Sequence, residues 1–443
     1  MDQKLGDLSH LLVTVFLSSF ANLMVAPSIT DVTMLALCPG QDQCSLAIYL
    51  TGSQQAVIGL GAMIITPLIG NLSDEYGRKA LLTLPMTISI IPLVILAYSR
   101  TTNFFYAYFV LRTLTAMASE GSINCLALAY LADNIPERQR ASAFGILAGV
   151  GSAAFVCGTL AARFLSTAST FQVAAVVSIL AAVYMRVFLK ESIPNGDGLR
   201  QPILKGEPDD FKYDDDRVQN TSQAFKRIPS IGDLICLRRS SVTFSQATVV
   251  SFFNSLADGG ILATLLYFLK ARFHFNKNQF ADLMLILGVA GTISQLLFMP
   301  ILAPVIGEQK LLSIGLLMGC ASMFFNSIAW SVWVPYACTL FSIFTVFVQP
   351  SLRSIVSKQV GANEQGKAQG CISGISSFAN IVSPLIFSPL AALFLSEGAP
   401  FYFPGFSIMC IGLATMIAFI QSIMIREVSS SDHKTEGNHS MEA

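Results

Sequence analysis

Two apolar runs, Ala47 to Ile69 and Ala80 to Tyr98, flank a ten-residue stretch, Gly70-Asn-Leu-Ser-Asp74-Glu-Tyr-Gly77-Arg78-Lys79. Crossing a hydrocarbon core of about 30 Å takes about 20 helical residues at 1.5 Å each, which either run supplies. Both runs must then stop at this stretch, on one side of a bilayer, with a tight charged hairpin between them. Gly70 and Gly77 permit turn geometry that bulkier residues resist. Asp74 suits the positive N-terminal end of a neighbouring helix, while Arg78 and Lys79 hold the hairpin on the cytosolic side. Composition agrees with a lipid solvent. Hydrophobic residues make up 53% of the 443 and charged ones 12%, against about 25% charged in a soluble domain. Formal net charge is zero, so there is no basic excess to suggest nucleic acid.

By length, about twelve spans are expected. The first runs from about His10 to Leu37 and is taken as a span rather than a cleaved signal peptide. After the two around the hairpin come Asn103 to Leu131, Ala141 to Leu165 and Thr170 to Leu189. A hydrophilic segment, Lys190 to Arg239, carries an acidic run at Asp209–Asp216 and too little apolar content to pack a core. Six more spans follow: Val242–Leu269, Phe280–Ala303, Leu311–Trp330, Val334–Val356, Lys367–Phe394 and Phe403–Ile425. The expected fold is an all-α membrane protein of twelve transmembrane helices in two six-helix halves, residues 1–189 and 240–425. A cytosolic linker (190–239) joins the halves and a cytosolic tail (426–443) follows. Lys and Arg concentrate in the even-numbered loops, so both termini are expected in the cytosol. The glycosylation sequons at Asn71, Asn220 and Asn438 fall on that same side, where they would go unused. A diluted internal repeat sets Gly77 on Gly307 at the second loop of each half.

Nine cysteines lack the paired spacing of a zinc site. Cys38 and Cys44, in the first outward loop, are spaced for a local disulfide if that loop faces an oxidising compartment; two free thiols are the alternative. Four histidines, none deep in a span, supply no metal centre. No cofactor is expected, and without clustered catalytic groups the chain does not read as an enzyme. No Gly-x-x-x-x-Gly-Lys-Ser/Thr loop is present to couple transport to ATP. Ionisable residues inside spans cost about 2.5–3.5 kcal/mol or more, so Arg112, Glu120 and Asp258 are candidates for function, the alternative being charges that hold helices together. On a straight helix Arg112 and Glu120 lie about 80° and about 12 Å apart, too far to pair without a neighbour. Asn22, Gln54, Gln295 and Asn380 are candidates to line a cavity, with interhelical glue as the alternative.

The stretch Gly-x-Leu-Ser-Asp-x-x-Gly-Arg-Lys resembles the loop between helices two and three of the major facilitator superfamily. Arg112 looks like that family's buried arginine, which is associated with proton coupling, with Ala116 where a glycine is usual. Ala129-Tyr-Leu-Ala-Asp133-Asn-Ile-Pro-Glu137-Arg-Gln-Arg140 resembles the fourth-to-fifth loop of the tetracycline-resistance-type branch and of the hippocampus-abundant-transcript-like relatives. Two features depart from the antiporters: Ser19 stands where they carry an acidic residue, and Gly158-Thr-Leu-Ala-Ala-Arg163 lacks their proline. The resemblance implies a secondary transporter of a small organic solute, with Arg112 tied to proton coupling. Protons are then a second partner, and the deep carboxylates Glu120 and Asp258 are the candidates for Arg112 to gate. It also implies a conformational latch of Gly70, Asp74, Gly77, Arg78, Lys79 and Asp133. In that latch Asp74 meets the start of the eleventh span near Gly366 to Ala368, and Arg78 meets Asp133. A monomer in the lipid bilayer is expected. The alternative reading is a non-transporting receptor or trafficking adaptor on the same fold.

Overall fold

The computed structural model describes residues 2–37, 45–191, 242–275, 277–361, 364–395 and 399–425. Cys38, Cys44, most of the expected linker and the whole tail lie outside them. Regular structure among the described residues is helical throughout, as a chain in lipid requires, since a helix satisfies its own backbone polar groups. Eleven helical stretches among the described residues are long and apolar enough to cross a membrane. The run from Asn103 to Leu131, expected as one span, is two shorter helices and is not among the eleven.

In chain order the helices are α1 (Asp2–Leu37), α2 (Ser45–Tyr76), α3 (Arg78–Ile88), α4 (Ile90–Tyr98), α5 (Thr102–Ser119), α6 (Ser122–Asn134), α7 (Arg140–Phe164) and α8 (Thr167–Phe188). They continue as α9 (Val242–Phe273), α10 (Lys277–Ile293), α11 (Met299–Ile306), α12 (Glu308–Ser327), α13 (Trp333–Thr345), α14 (Val348–Lys358), α15 (Gln365–Phe394) and α16 (Phe406–Met424).

Among the described residues four spans are interrupted; the break at Glu120–Gly121 has no proline, and the other three lie at prolines. Pro92 has no N–H to offer the Ile88 carbonyl, and α3 gives way to α4 at Ser89. Pro300 follows a π-turn, Ser294–Phe298, between α10 and α11. Pro350 leaves the Val346 carbonyl without its helical donor where α13 stops and α14 begins.

Contacts group the residues into two compact units. The first comprises residues 1–136, 154–240 and 360–374, the second 137–153, 241–359 and 375–443. In the first, α1 packs along α8 around Met24, Leu93, Leu96, Phe105 and Phe171. Gly158 lets α7 approach α1 closely, since a Cβ there would sit 3.0 Å from the Met24 nitrogen. In the second unit α9 and α12 both pack on α16, with Leu256, Phe387 and Ile411 in one core cluster and Phe268, Leu283 and Ile408 in another. Large apolar side chains such as Ile64, Leu114, Leu262 and Val305 stand exposed. Water would penalise that surface at roughly 25 cal/mol per Å², whereas acyl chains do not.

Candidate functional site

The hairpin between α2 and α3 is a closed network of charge. Gly77 turns the chain with φ +95° and caps α3. Arg78 follows it and is 1% exposed. Its Nε donates to Asp133 Oδ2 at the end of α6, 2.9 Å away. One terminal nitrogen donates to the Ser73 hydroxyl and the other pairs with Asp74. Such charge-assisted bonds offset the cost of taking a guanidinium out of water. Asp74 in turn accepts from two backbone donors at the start of α15, Gly366 N–H at 2.9 Å and Lys367 N–H at 2.8 Å. These are N–H groups that no helical carbonyl can reach, at the positive end of the helix dipole. Close approach is possible because Gly70 and Gly366 face each other, where a Cβ on either would run into the other's carbonyl oxygen. Lys79 contributes its backbone, donating to Glu191 at 3.2 Å.

The first unit also holds a cavity of about 680 Å³ lined by Asn22, Gln54, Gln55, Arg112 and Glu120 among others. Arg112 Nη2 and Glu120 Oε1 are 3.9 Å apart, with side chains 25% and 49% exposed. This corrects the expectation that eight residues keep them from pairing. The helix does not continue straight. Glu120 is extended (ψ 119°), Gly121 takes φ +89°, and α6 begins at Ser122. A carboxylate at the end of α5 thereby turns back toward an arginine that a regular helix would hold away. Gln54 Nε2 braces the same wall, donating to the Phe109 carbonyl at 3.1 Å and to Thr113 at 3.0 Å. Asn22 donates to the Ser18 carbonyl at 2.9 Å.

The second unit holds its own cavity, of about 360 Å³. Asp258 and Gln295 line it. Asp258 is exposed although Leu256, Ala257 and Gly260 around it are buried, and it accepts from Asn254 Nδ2 at 2.9 Å. Gln295, in the π-turn, accepts from the Ser152 hydroxyl at 2.9 Å and donates at 3.3 Å to the Val346 carbonyl, the one that Pro350 leaves unbonded. Asn380 sits beside Gly259 and does not line this cavity.

The Major Facilitator Superfamily profile matches residues 11–384. The chain belongs to the Major Facilitator Superfamily. Within it, the human hippocampus abundant transcript 1 protein is 25% identical over 396 residues, covering 88% of this chain and 74% of that one. The class H tetracycline resistance protein of Pasteurella multocida is 25% identical over 335 residues, or 74% of this chain and 75% of that one. Among solved structures, the human organic anion transporter MFSD10 (TETRAN) superposes with a TM-score of 0.75 at 16% identity, covering 95% and 99% of the two chains. The E. coli fucose:proton symporter FucP gives 0.69 at 13%, covering 95% and 98%.

The glycines that the internal repeat aligns share a conformation, while the charged partners around the second of them were missed by sequence reasoning. Gly307 repeats the Gly77 backbone (φ 87°, ψ 148° against φ 95°, ψ 148°). The residue after it, Glu308, pairs with Lys358 at the end of α14, as Arg78 pairs with Asp133 at the end of α6 but with the charges exchanged. Arg140 donates to the Ser357 carbonyl at 2.9 Å. A search for a charge directly after each aligned glycine would have found Glu308; nothing in the sequence singles out Ser357, whose contribution is a backbone oxygen.

Proposed function

We propose that this superfamily member is a secondary transporter of a small organic solute, built as twelve transmembrane helices in two six-helix halves that alternate in access about a midplane site. Both termini and the linker lie in the cytosol, and the molecule works as a monomer. Proton coupling runs through the Arg112–Glu120 pair, and the Asp74 network is the latch that holds the cytosolic side shut. The observation that supports this most is the loose ion pair at a helix break inside a cavity. A carboxylate there changes partner on taking a proton, and a broken helix is where transporters expose their ligating groups. Relatives named for tetracycline resistance and for fucose:proton symport favour the same reading. Purified protein in sealed vesicles, offered a panel of small solutes with and without a pH gradient, tests it. Gradient-stimulated accumulation of one solute class is the expected result. No accumulation of any solute under either condition, with the protein correctly inserted, would overturn the proposal.

A further inference from the structure

The cavity of the second unit differs in chemistry from that of the first. Where Arg112 and Glu120 balance each other in one, Asp258 carries the one full charge among the described residues lining the other. Its hydrogen-bonding neighbour Asn254 is neutral. Around it stand hydroxyls and amides, Gln295, Asn326, Thr339 and Ser342 among them, over walls of leucine, isoleucine and methionine. Two interruptions of the helical backbone border the same space. Gln295 belongs to the π-turn, and Thr345, Val346 and Val348 to the break between α13 and α14. Prolines make both interruptions, and interruptions of this kind in membrane proteins are frequent at ligand sites.

We propose that this cavity binds a small organic cation, a protonated amine with a compact apolar body, whose ammonium group pairs with Asp258. An intramembrane carboxylate with one neutral hydrogen-bond partner is costly unless a cation completes its environment. The amide and hydroxyl oxygens accept the remaining N–H groups, and the apolar walls take the hydrocarbon portion. A volume of about 360 Å³ lies at the small end of ligand pockets, which run from about 300 to 1,000 Å³. A bare sodium ion would use the oxygens and leave the apolar walls without a function. The inference names the solute class for the transport reading above and rests on that reading only where uptake is concerned.

The test is equilibrium binding of radiolabelled phenethylamine to the full-length protein in nanodiscs, with phenylacetate, sodium and potassium as competitors. Saturable binding that the inorganic cations and phenylacetate leave unchanged is expected. Asp258→Asn should weaken it by about tenfold to a hundredfold, the size of a lost charge-assisted bond, while Asp258→Glu retains it. Location is read by labelling the Ser342→Cys variant with a thiol reagent, resolved by peptide. Phenethylamine should slow modification at position 342 and leave the exposed Cys157 unaffected. Undiminished binding in Asp258→Asn, equal displacement by phenylacetate, or equal protection of position 342 by sodium alone would each overturn the inference. The two proposals fail separately. Amine binding without uptake of any solute refutes transport and leaves the cation site standing. Uptake of another solute without amine binding does the reverse.

Discussion

At the scale of single residues, the pairing of Arg112 with Glu120 makes the sharpest demand. Each charge is accommodated by the other, within a cavity of about 680 Å³. Removing one leaves its partner uncompensated inside a span. Arg112→Ala should therefore lower gradient-driven uptake by more than about tenfold, a loss of about 1.4 kcal/mol or more, with surface expression and monodispersity unchanged. Uptake at the wild-type rate would remove Arg112 from the mechanism. Glu120→Gln keeps the shape of the side chain and discards its proton-carrying capacity. Residual uptake by that variant should be equal with and without a pH gradient, and a retained response would move the coupling elsewhere.

Among the helices, the interruptions matter more than the lengths. Gly121 holds φ +89°, and a Cβ there would come within 3.2 Å of the Thr66 hydroxyl. Gly121→Ala should cost about 1–3 kcal/mol and reposition Glu120, so thermal stability and uptake fall together; a variant that keeps both would show the break to be incidental. Eleven of the expected spans were legible because a bilayer imposes a length and an apolar composition on any helix that crosses it. The break at Glu120–Gly121 was not, since the apolar run reads through it and one glycine within a helix is common. The distance assigned to Arg112 and Glu120 failed for the same reason, because it assumed a regular rise across the break. The π-turn at Ser294–Phe298 has no signature beyond Pro300, and Pro300 also sits comfortably in the first turn of α11. The hairpin was easier to read, since Asp74, Arg78 and Asp133 are charges at helix ends with few other places to go. Its energetics remain modest. The dipole contribution at the start of α15 is about 0.3–2 kcal/mol, enough to bias two nearly balanced conformations by up to tens-fold. Asp74→Asn should thus lengthen the mean distance between spin labels at Glu75 and Lys367 without unfolding the protein. Identical distance distributions in the two proteins would reduce the hairpin to a turn.

For the whole molecule, the proposed topology puts every even-numbered loop in the cytosol, which selective permeabilisation tests directly. Epitope tags at the two ends should both become accessible when only the cytosolic face is exposed, and Asn71 should carry no glycan. Opposite accessibility of the two tags would break the six-plus-six plan. The hairpin network has one more consequence, which concerns synthesis. Arg78 waits 55 residues for Asp133, but Asp74 waits 292 for Gly366. At roughly 5–20 residues per second, the first partner emerges within about 3–11 s and the second only after about 15–60 s. The nascent first half must hold its buried arginine early, with Asp74 paired only to Arg78 until the start of α15 has been made. Completion of the network is thus a late event in assembly, set by the ribosome's progress rather than by the strength of the contact.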